Sequence, residues 1–240
     1  MISLISRTKS LLATLGTIGN FMKTHEFAHI VSLNPENMIE ATENPEFKRV
    51  YDRAELIIAD GIGILAAARI LNVSVGEKVT GIGLMDMIVR KYPEKRIVFV
   101  GAHHNATQKT LEHFMHETEG SASDWTAFPD VDRNDSDLIH KILTAKPDLL
   151  FIAFGSPAQE LWIEKHRAQL AGVVCMGVGQ AFNVYGGMVK RAPRLMQALG
   201  LEWFYRLLTQ PWRWRRQLRL LKFIYLVIRY RLFPRRSQVS

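Results

Sequence analysis

Short runs of apolar, often β-branched residues alternate along the chain with longer stretches whose apolar positions recur at helical spacing. Ile30-Val-Ser-Leu, Leu56-Ile-Ile-Ala, Arg96-Ile-Val-Phe-Val, Asp148-Leu-Leu-Phe-Ile-Ala and Val173-Val-Cys-Met read as strands. Their near-continuous apolar character is that of strands covered on both faces, the situation in a parallel sheet. Residues 36–42, 63–71, 107–117, 137–145 and 159–169 carry the helical pattern. Pro35 and Pro157 stand near first turns, where an absent N–H leaves no bond unmade. This alternation predicts an α/β fold, a Rossmann-like parallel sheet with helices on both faces. The expected organisation is an N-terminal segment (1–30), an α/β domain (31–200) and a basic amphipathic C-terminal helical appendage (201–240). Leu11 to Ile18 is expected to pack as a helix on the domain.

Charge changes this picture at the C-terminus. The 240 residues carry 31 Lys and Arg against 23 Asp and Glu, and ten of the basic residues follow Glu202, the last acidic one. The preceding 202 residues therefore hold 21 basic against 23 acidic, so the net charge of +8 belongs to the tail. Such asymmetry points to an anionic surface. Arg215, Arg219, Lys222 and Arg229 follow at steps of four, three and seven and share one helical stripe, while Leu218, Leu221, Ile224, Tyr225 and Ile228 fall away from it. The longest apolar run, Phe223 to Ile228, is far short of the roughly 20 residues that span a bilayer. The tail is expected to lie on a membrane, its cations against anionic headgroups and Trp212, Trp214 and Phe223 at the interface. The alternative is a helix docked on its own domain or on a second copy in a homo-oligomer, the arginines merely solvated. Single-stranded nucleic acid suits basic and aromatic residues too, but the apolar stretch argues against it.

With 48% hydrophobic residues, the chain can bury one full core. The single cysteine, Cys175, lies in an apolar run and reads as a small buried hydrophobe, so no disulfide framework is expected. Apolar residues precede Arg7 and Lys9, the reverse of a secretory signal, which predicts a cytoplasmic protein, peripheral on the inner face of the membrane.

In parallel sheets ligands bind beyond the carboxyl ends of the strands. The predicted strands end at Asn34, Asp60-Gly61, Gly101, Gly155-Ser-Pro and Gly177-Val-Gly179. Glycines there admit a ligand closely, and backbone N–H groups at helix starts favour phosphate, which suggests a diphosphate-bearing substrate. Asp60 can act as a general base toward a substrate hydroxyl or can simply cap the following helix. Gln159 can hydrogen-bond a sugar or uracil, or face solvent. Asn34 can touch substrate or cap the helix before Pro35, the cap being favoured locally.

His25-Glu-Phe-Ala-His29 matches H-E-x-x-H, but a predicted strand begins where the helix should continue and no third ligand is near. Asp130-Val-Asp132 and Asp135-Ser-Asp137 lie in a polar loop ahead of a helix, where capping suffices. His103-His104 follows a strand end without further ligands. No metal site and no cofactor are expected, and no G-x-G-x-x-G or P-loop is present.

Ser32-Leu-Asn-Pro-Glu-Asn-Met, Ala59-Asp-Gly-Ile-Gly, Val79-Thr-Gly-Ile-Gly-Leu-Met, Phe154-Gly-Ser-Pro-Ala-Gln-Glu, Gly177-Val-Gly-Gln-Ala-Phe, Val189-Lys-Arg-Ala-Pro193 and Leu199-Gly-Leu-Glu-Trp-Phe-Tyr-Arg together resemble the WecG/TagA/CpsF family, glycosyltransferase family 26. The family builds bacterial envelope polysaccharides on a lipid carrier. The resemblance implies an inverting, metal-independent transfer from a UDP-sugar to undecaprenyl-diphosphate-linked N-acetylglucosamine, with Asp60 as base. It also implies that Lys190, Arg191 and Arg206 steady the departing diphosphate, and that the tail approaches the membrane and helps close the site. Leu199 to Lys222 is most similar to the branch serving enterobacterial common antigen, so the implied sugar is N-acetylmannosamine or its uronic acid. UDP-glucose or another donor in exopolysaccharide assembly, or a catalytically weak scaffold, are the alternatives. Gly83, Ala158, Gln180 and Asn183 stand where family members often carry Asp, Lys, Gly and Asp, which bears on donor choice.

Overall fold

The computed structural model describes residues 1–118, 124–198, 201–210 and 214–233. Six strands, β1 (Ala28–Leu33), β2 (Leu56–Ala59), β3 (Ile97–Gly101), β4 (Trp125–Phe128), β5 (Leu149–Ala153) and β6 (Val174–Gly177), form one parallel sheet in the order β2-β1-β6-β5-β3-β4. Leu33 lies opposite Ala59 and Gly101 opposite Ala153, so the carboxyl ends of neighbouring strands are level and their loops form one rim. The five strands expected from the sequence are present within a few residues; β4, at the sheet edge, is additional.

Strand residues alternate between two cores. One holds Ile30, Phe99, Phe151 and Met176 beneath α2 (Leu11–Thr24), α6 (Gly81–Lys91), α7 (His104–Glu117) and α10 (Ala181–Tyr185). On the opposite face, α1 (Ile2–Ser6), α3 (Pro35–Glu43), α4 (Pro45–Arg53), α5 (Ile62–Leu71) and α13 (Trp214–Leu232) cover Val31, Leu33, Ile57 and Ala59. Helices α8 (Leu138–Thr144) and α9 (Ala158–Lys165) cover Val98, Leu150, Ile152 and Cys175. Short helices α11 (Arg194–Ala198) and α12 (Glu202–Thr209) lead into α13. Because α9 leaves β5 on one face and α10 leaves β6 on the other, a crevice opens between them at the rim.

The N-terminal segment belongs to these cores. Leu4 and Ile5 join one, Leu15, Ile18 and Met22 the other, and the Lys9 amide donates to the Ile57 carbonyl at 3.1 Å. Cys175 is fully buried, and burial pushes its thiol up.

The appendage packs on the domain along one narrow face of α13. Phe223 and Val227 are each 3% exposed and sit in the core with Val31, Phe47 and Ile64, so Phe223 is not an interfacial residue. Arg219 pairs with Glu40 at 2.8 Å and approaches Glu36 at 3.9 Å, and Lys222 pairs with Glu43. The physical reason is complementary periodicity: α3 presents carboxylates at steps of four and three to the cations of α13. Helix α13 is thus docked on its own domain, with the stripe partly neutralised rather than merely solvated. Arg229 is exposed; the side chains of Arg206 and Arg215, and all of Trp212, lie outside the described residues.

The H-E-x-x-H sequence is split between elements: His25 ends α2 in a left-handed conformation and His29 lies within β1. The His29 ring is fully buried with neither nitrogen hydrogen-bonded, and burial, aided by the Arg167 charge, lowers its pKa to about 3. Between about pH 6.5 and 3 the unfolded chain therefore takes up a proton that the folded chain refuses, and stability contributed by this site is lost as pH falls. Going from pH 7 to pH 5, the wild type is expected to lose about 2 kcal/mol relative to His29→Leu. Chemical denaturation of both proteins at the two pH values measures this; parallel pH profiles would remove the effect.

Candidate active site

Asp60 follows the last residue of β2, where the backbone leaves the sheet. Its amide donates to the Leu33 carbonyl at 2.8 Å, and the Val79 amide donates to the Ala59 carbonyl at 3.0 Å, so Asp60 is fixed between the end of β1 and residues 78–79. Gly61 turns the chain with φ of 91°, a conformation that favours glycine. Gly81 opens α6 so close by that an added Cβ would lie 3.1 Å from Ser32 Oγ and 4.0 Å from Asp60 Oδ2. A methyl there would crowd the Ser32 hydroxyl and lie in van der Waals contact with the carboxylate.

Asn34 caps α3, its Oδ1 accepting from the Asn37 amide at 2.8 Å, with Pro35 in the first turn. The cap reading is thus realised. Asn34 and Asp60 nevertheless border one cavity of about 490 Å³. Its other polar residues are Glu36, Lys78, Thr80 and Glu202, while α5 and α13 supply apolar walls. Lys78 Nζ donates to the Gln197 carbonyl at 2.8 Å, and Thr80 caps α6 by accepting from the Gly83 amide. Neither Lys78 nor Thr80 stands at a strand end, although a Thr immediately before a Gly-Ile-Gly-Leu run is a capping signal in the sequence.

Gln159 does not face solvent. It is 4% exposed, and its Oε1 accepts from the amides of Gly155 at 3.2 Å and Gly179 at 3.1 Å, while Nε2 donates to Glu160 Oε1 at 2.8 Å. The side chain ties the loop after β5 to the loop after β6. Those two glycine amides are thereby committed to Gln159, not held out toward a phosphate. Gly177 accommodates the tie: a Cβ there would meet Gln159 Nε2 at 2.5 Å.

Glu160 is itself 2% exposed, and burial raises its pKa, which favours the neutral acid. A chain of hydrogen bonds runs onward from this loop. Ser156 Oγ donates to Asn37 Oδ1 at 3.0 Å, Asn37 Nδ2 donates to the Ser32 carbonyl at 3.0 Å, and the Tyr51 hydroxyl donates to the same carbonyl at 2.7 Å. Since the Asn37 amide also holds Asn34, the loop after β5 is mechanically connected to the mouth of the Asp60 cavity.

Around Gly101 the backbone turns with φ of 94°, and an added Cβ would strike the Phe154 ring at 2.8 Å. The Asp130 carboxylate accepts from the His104 amide at 2.9 Å, and Asp132 and Asp135 each accept from a backbone amide two residues on. These aspartates serve turns, as their polar loop suggested. Lys190 and Arg191 are exposed on the segment after α10. The fold thus gathers Asn34 and Asp60 in one cavity, and Gly155, Gln159 and Gly179 in one tie beside it.

Residues 5–237 match a family described as the glycosyl transferase WecG/TagA/CpsF family. The chain belongs to this family. It is 32% identical over 213 residues, 88% of this chain and 82% of the relative, to the N-acetylglucosaminyldiphosphoundecaprenol N-acetyl-beta-D-mannosaminyltransferase of Bacillus spizizenii. A protein of the same name from Bacillus subtilis is 32% identical over 84% of this chain and 79% of its own length. A third, from Staphylococcus aureus, is 29% identical over 90% and 81%. In this glycosyl transferase of the WecG/TagA/CpsF family, Gly83 lies in the first turn of α6, Ala158 in that of α9, and Gln180 and Asn183 at the start of α10. At Gly83 an added Cβ would lie 2.9 Å from Thr80 Oγ1, so an aspartate in its place requires that hydroxyl to shift.

Proposed function

We propose that this protein transfers N-acetylmannosamine from a UDP-sugar to undecaprenyl-diphosphate-linked N-acetylglucosamine, in bacterial envelope polysaccharide synthesis. The observation that carries this reading is the position of Asp60. A residue fixed by backbone bonds on both sides borders, with its carboxylate, a cavity that combines a few polar residues with apolar walls from α5 and α13. Such a cavity suits an acceptor that is a sugar at one end and a hydrocarbon at the other. Asp60 takes the proton from the acceptor hydroxyl as its oxygen attacks the anomeric carbon of the donor, and the UDP leaves from the opposite face. Lys78, Lys190, Arg191 and Arg206 supply positive charge for the diphosphates of the two substrates. The activity for which these relatives are named favours N-acetylmannosamine over its uronic acid.

Incubation with undecaprenyl-diphosphate-N-acetylglucosamine and a panel of UDP-sugars is expected to add one N-acetylhexosamine to the lipid, read by mass. Folded protein that binds UDP yet yields no product with any donor overturns the reading.

The same proposal places the protein on the inner surface of the cytoplasmic membrane, chiefly by an apolar face beside the basic stripe. Among the described residues no helix is long and apolar enough to cross a membrane. On α13, Leu221, Tyr225 and Leu232 are exposed, as are Trp203, Phe204 and Leu208 on α12. These are the side chains that enter the interface, with Arg229 and the exposed cations around them. Replacing Leu221 and Leu232 together by Ser is expected to weaken partitioning onto phosphatidylglycerol-containing vesicles at least about tenfold. Unchanged co-sedimentation removes this surface as the contact.

A further inference from the structure

The cavity beside Asp60 is built for more than a sugar. Of its nineteen lining residues, six are polar: Asn34, Glu36, Asp60, Lys78, Thr80 and Glu202. The remainder are apolar or glycine, chiefly Ile62, Ala66 and Ile70 from α5 facing Leu220, Ile224 and Ile228 from α13. A nucleotide or a second sugar buried between those walls would leave its hydroxyl and amide groups without partners, at a cost of roughly 1–3 kcal/mol each. A hydrocarbon chain would not. The walls also lead somewhere: Ile224 and Ile228 are half exposed at the edge of the groove, and the same helix continues in exposed Leu232 and Phe233. Lys78 stands beside the polar end, with one of its three donors on the Gln197 carbonyl.

From this geometry we infer that the groove between α5 and α13 binds the first isoprene units of the polyprenyl diphosphate. The diphosphate lies toward Lys78 and the sugar at Asp60, and the chain leaves along the exposed face of α13 into the bilayer. This rests on the acceptor reading above, but it assigns a separate task to residues that take no part in the proton transfer. Acceptor affinity follows the length of lipid that the groove covers, and α13 acts as a wall of the binding site.

Two readouts test it on the full-length protein. The first is the ratio of kcat/KM for acceptors with the same head and either a short isoprenoid chain or one long enough to fill the groove. Each buried methylene is worth about 0.8 kcal/mol, so the ratio is expected to exceed about tenfold in the wild type and to fall toward one in Ala66→Trp, where an indole fills the groove. Leu12→Ser, exposed on α2 and remote from both the groove and α13, keeps the wild-type ratio. The second is photolabelling with a benzophenone-bearing farnesyl diphosphate, mapped by mass. Label on residues 62–70 and 220–228 that Ala66→Trp abolishes supports the groove. Label spread over the outer face of α12 and α13, untouched by Ala66→Trp, overturns it, as does an unchanged chain-length ratio in that variant. Groove labelling in a protein that transfers no sugar to any acceptor overturns the transferase reading and leaves the isoprenoid site standing.

Discussion

Asp60→Asn is expected to lower kcat by roughly 10²- to 10⁴-fold while leaving the KM for acceptor and donor nearly unchanged. The amide has the shape of the carboxylate but cannot accept the acceptor's proton. The backbone bonds that fix residue 60, to Leu33 on one side and through Ala59 to Val79 on the other, do not depend on its side chain. Fold and substrate binding should therefore persist, and a denaturation midpoint equal to that of the wild type is part of the expected result. Wild-type turnover by the folded variant would remove Asp60 as the base. A rise in KM with kcat preserved would instead make it a binding residue.

Phe223→Ala is expected to cost about 3–5 kcal/mol, the range for truncating a fully buried aromatic. The reason lies in where α13 sits. Phe223 and Val227 are as buried as the strands of the sheet, and the residues on either side, Lys222 and Ile224, are exposed. One narrow face thus anchors the helix. Loss of that anchor should release α13 before the rest of the domain, because the sheet keeps its other cover. Hydrogen exchange should show faster exchange across residues 214–232, with β1 and β2 still protected. Activity should fall with it, since α13 forms a wall of the Asp60 cavity. Ile224→Ala, half exposed, is the matched control and should cost under about 1.5 kcal/mol. Removing the whole tail would uncover the Phe223 and Val227 contacts as well as any lipid contact, so point changes separate the two effects where deletion does not.

Apolar runs made five of the six strands legible in the sequence, because strands buried on both faces need no alternation to be recognised. β4 was not: only Trp125 of its four residues is buried, as suits an edge strand with one neighbour. Helix α4 was passed over despite Asn44-Pro45, a cap followed by a first-turn proline, because its charged composition reads as surface loop. Helix α6 was hidden by Gly81 and Gly83, whose function is close approach at Ser32 and Thr80 rather than chain reversal. At the site, Asp60 and Asn34 could be singled out because strand ends are where ligands meet such sheets. The tie made by Gln159 was not legible, since its partners Gly155 and Gly179 lie on two loops that only the pairing of β5 with β6 brings together. The tail posed the same difficulty. Its cations were visible, but their partners, Glu36, Glu40 and Glu43, are some 180 positions earlier in sequence, and Lys222 is 179 residues from Glu43.

That pairing alters what a salt wash reports. Proteins held to bilayers by Arg and Lys are customarily stripped with concentrated salt, and release is taken as proof of headgroup attraction. Here the same ions would screen Arg219 and Lys222 from α3, a helix capped by Asn34, which borders the same cavity as the Asp60 carboxylate. Salt would loosen the molecule from itself as well as from lipid. Ionic strength thus becomes a control on how firmly the groove is walled, and a fall in turnover at high salt would reflect the seating of α13 even in detergent, with no membrane present.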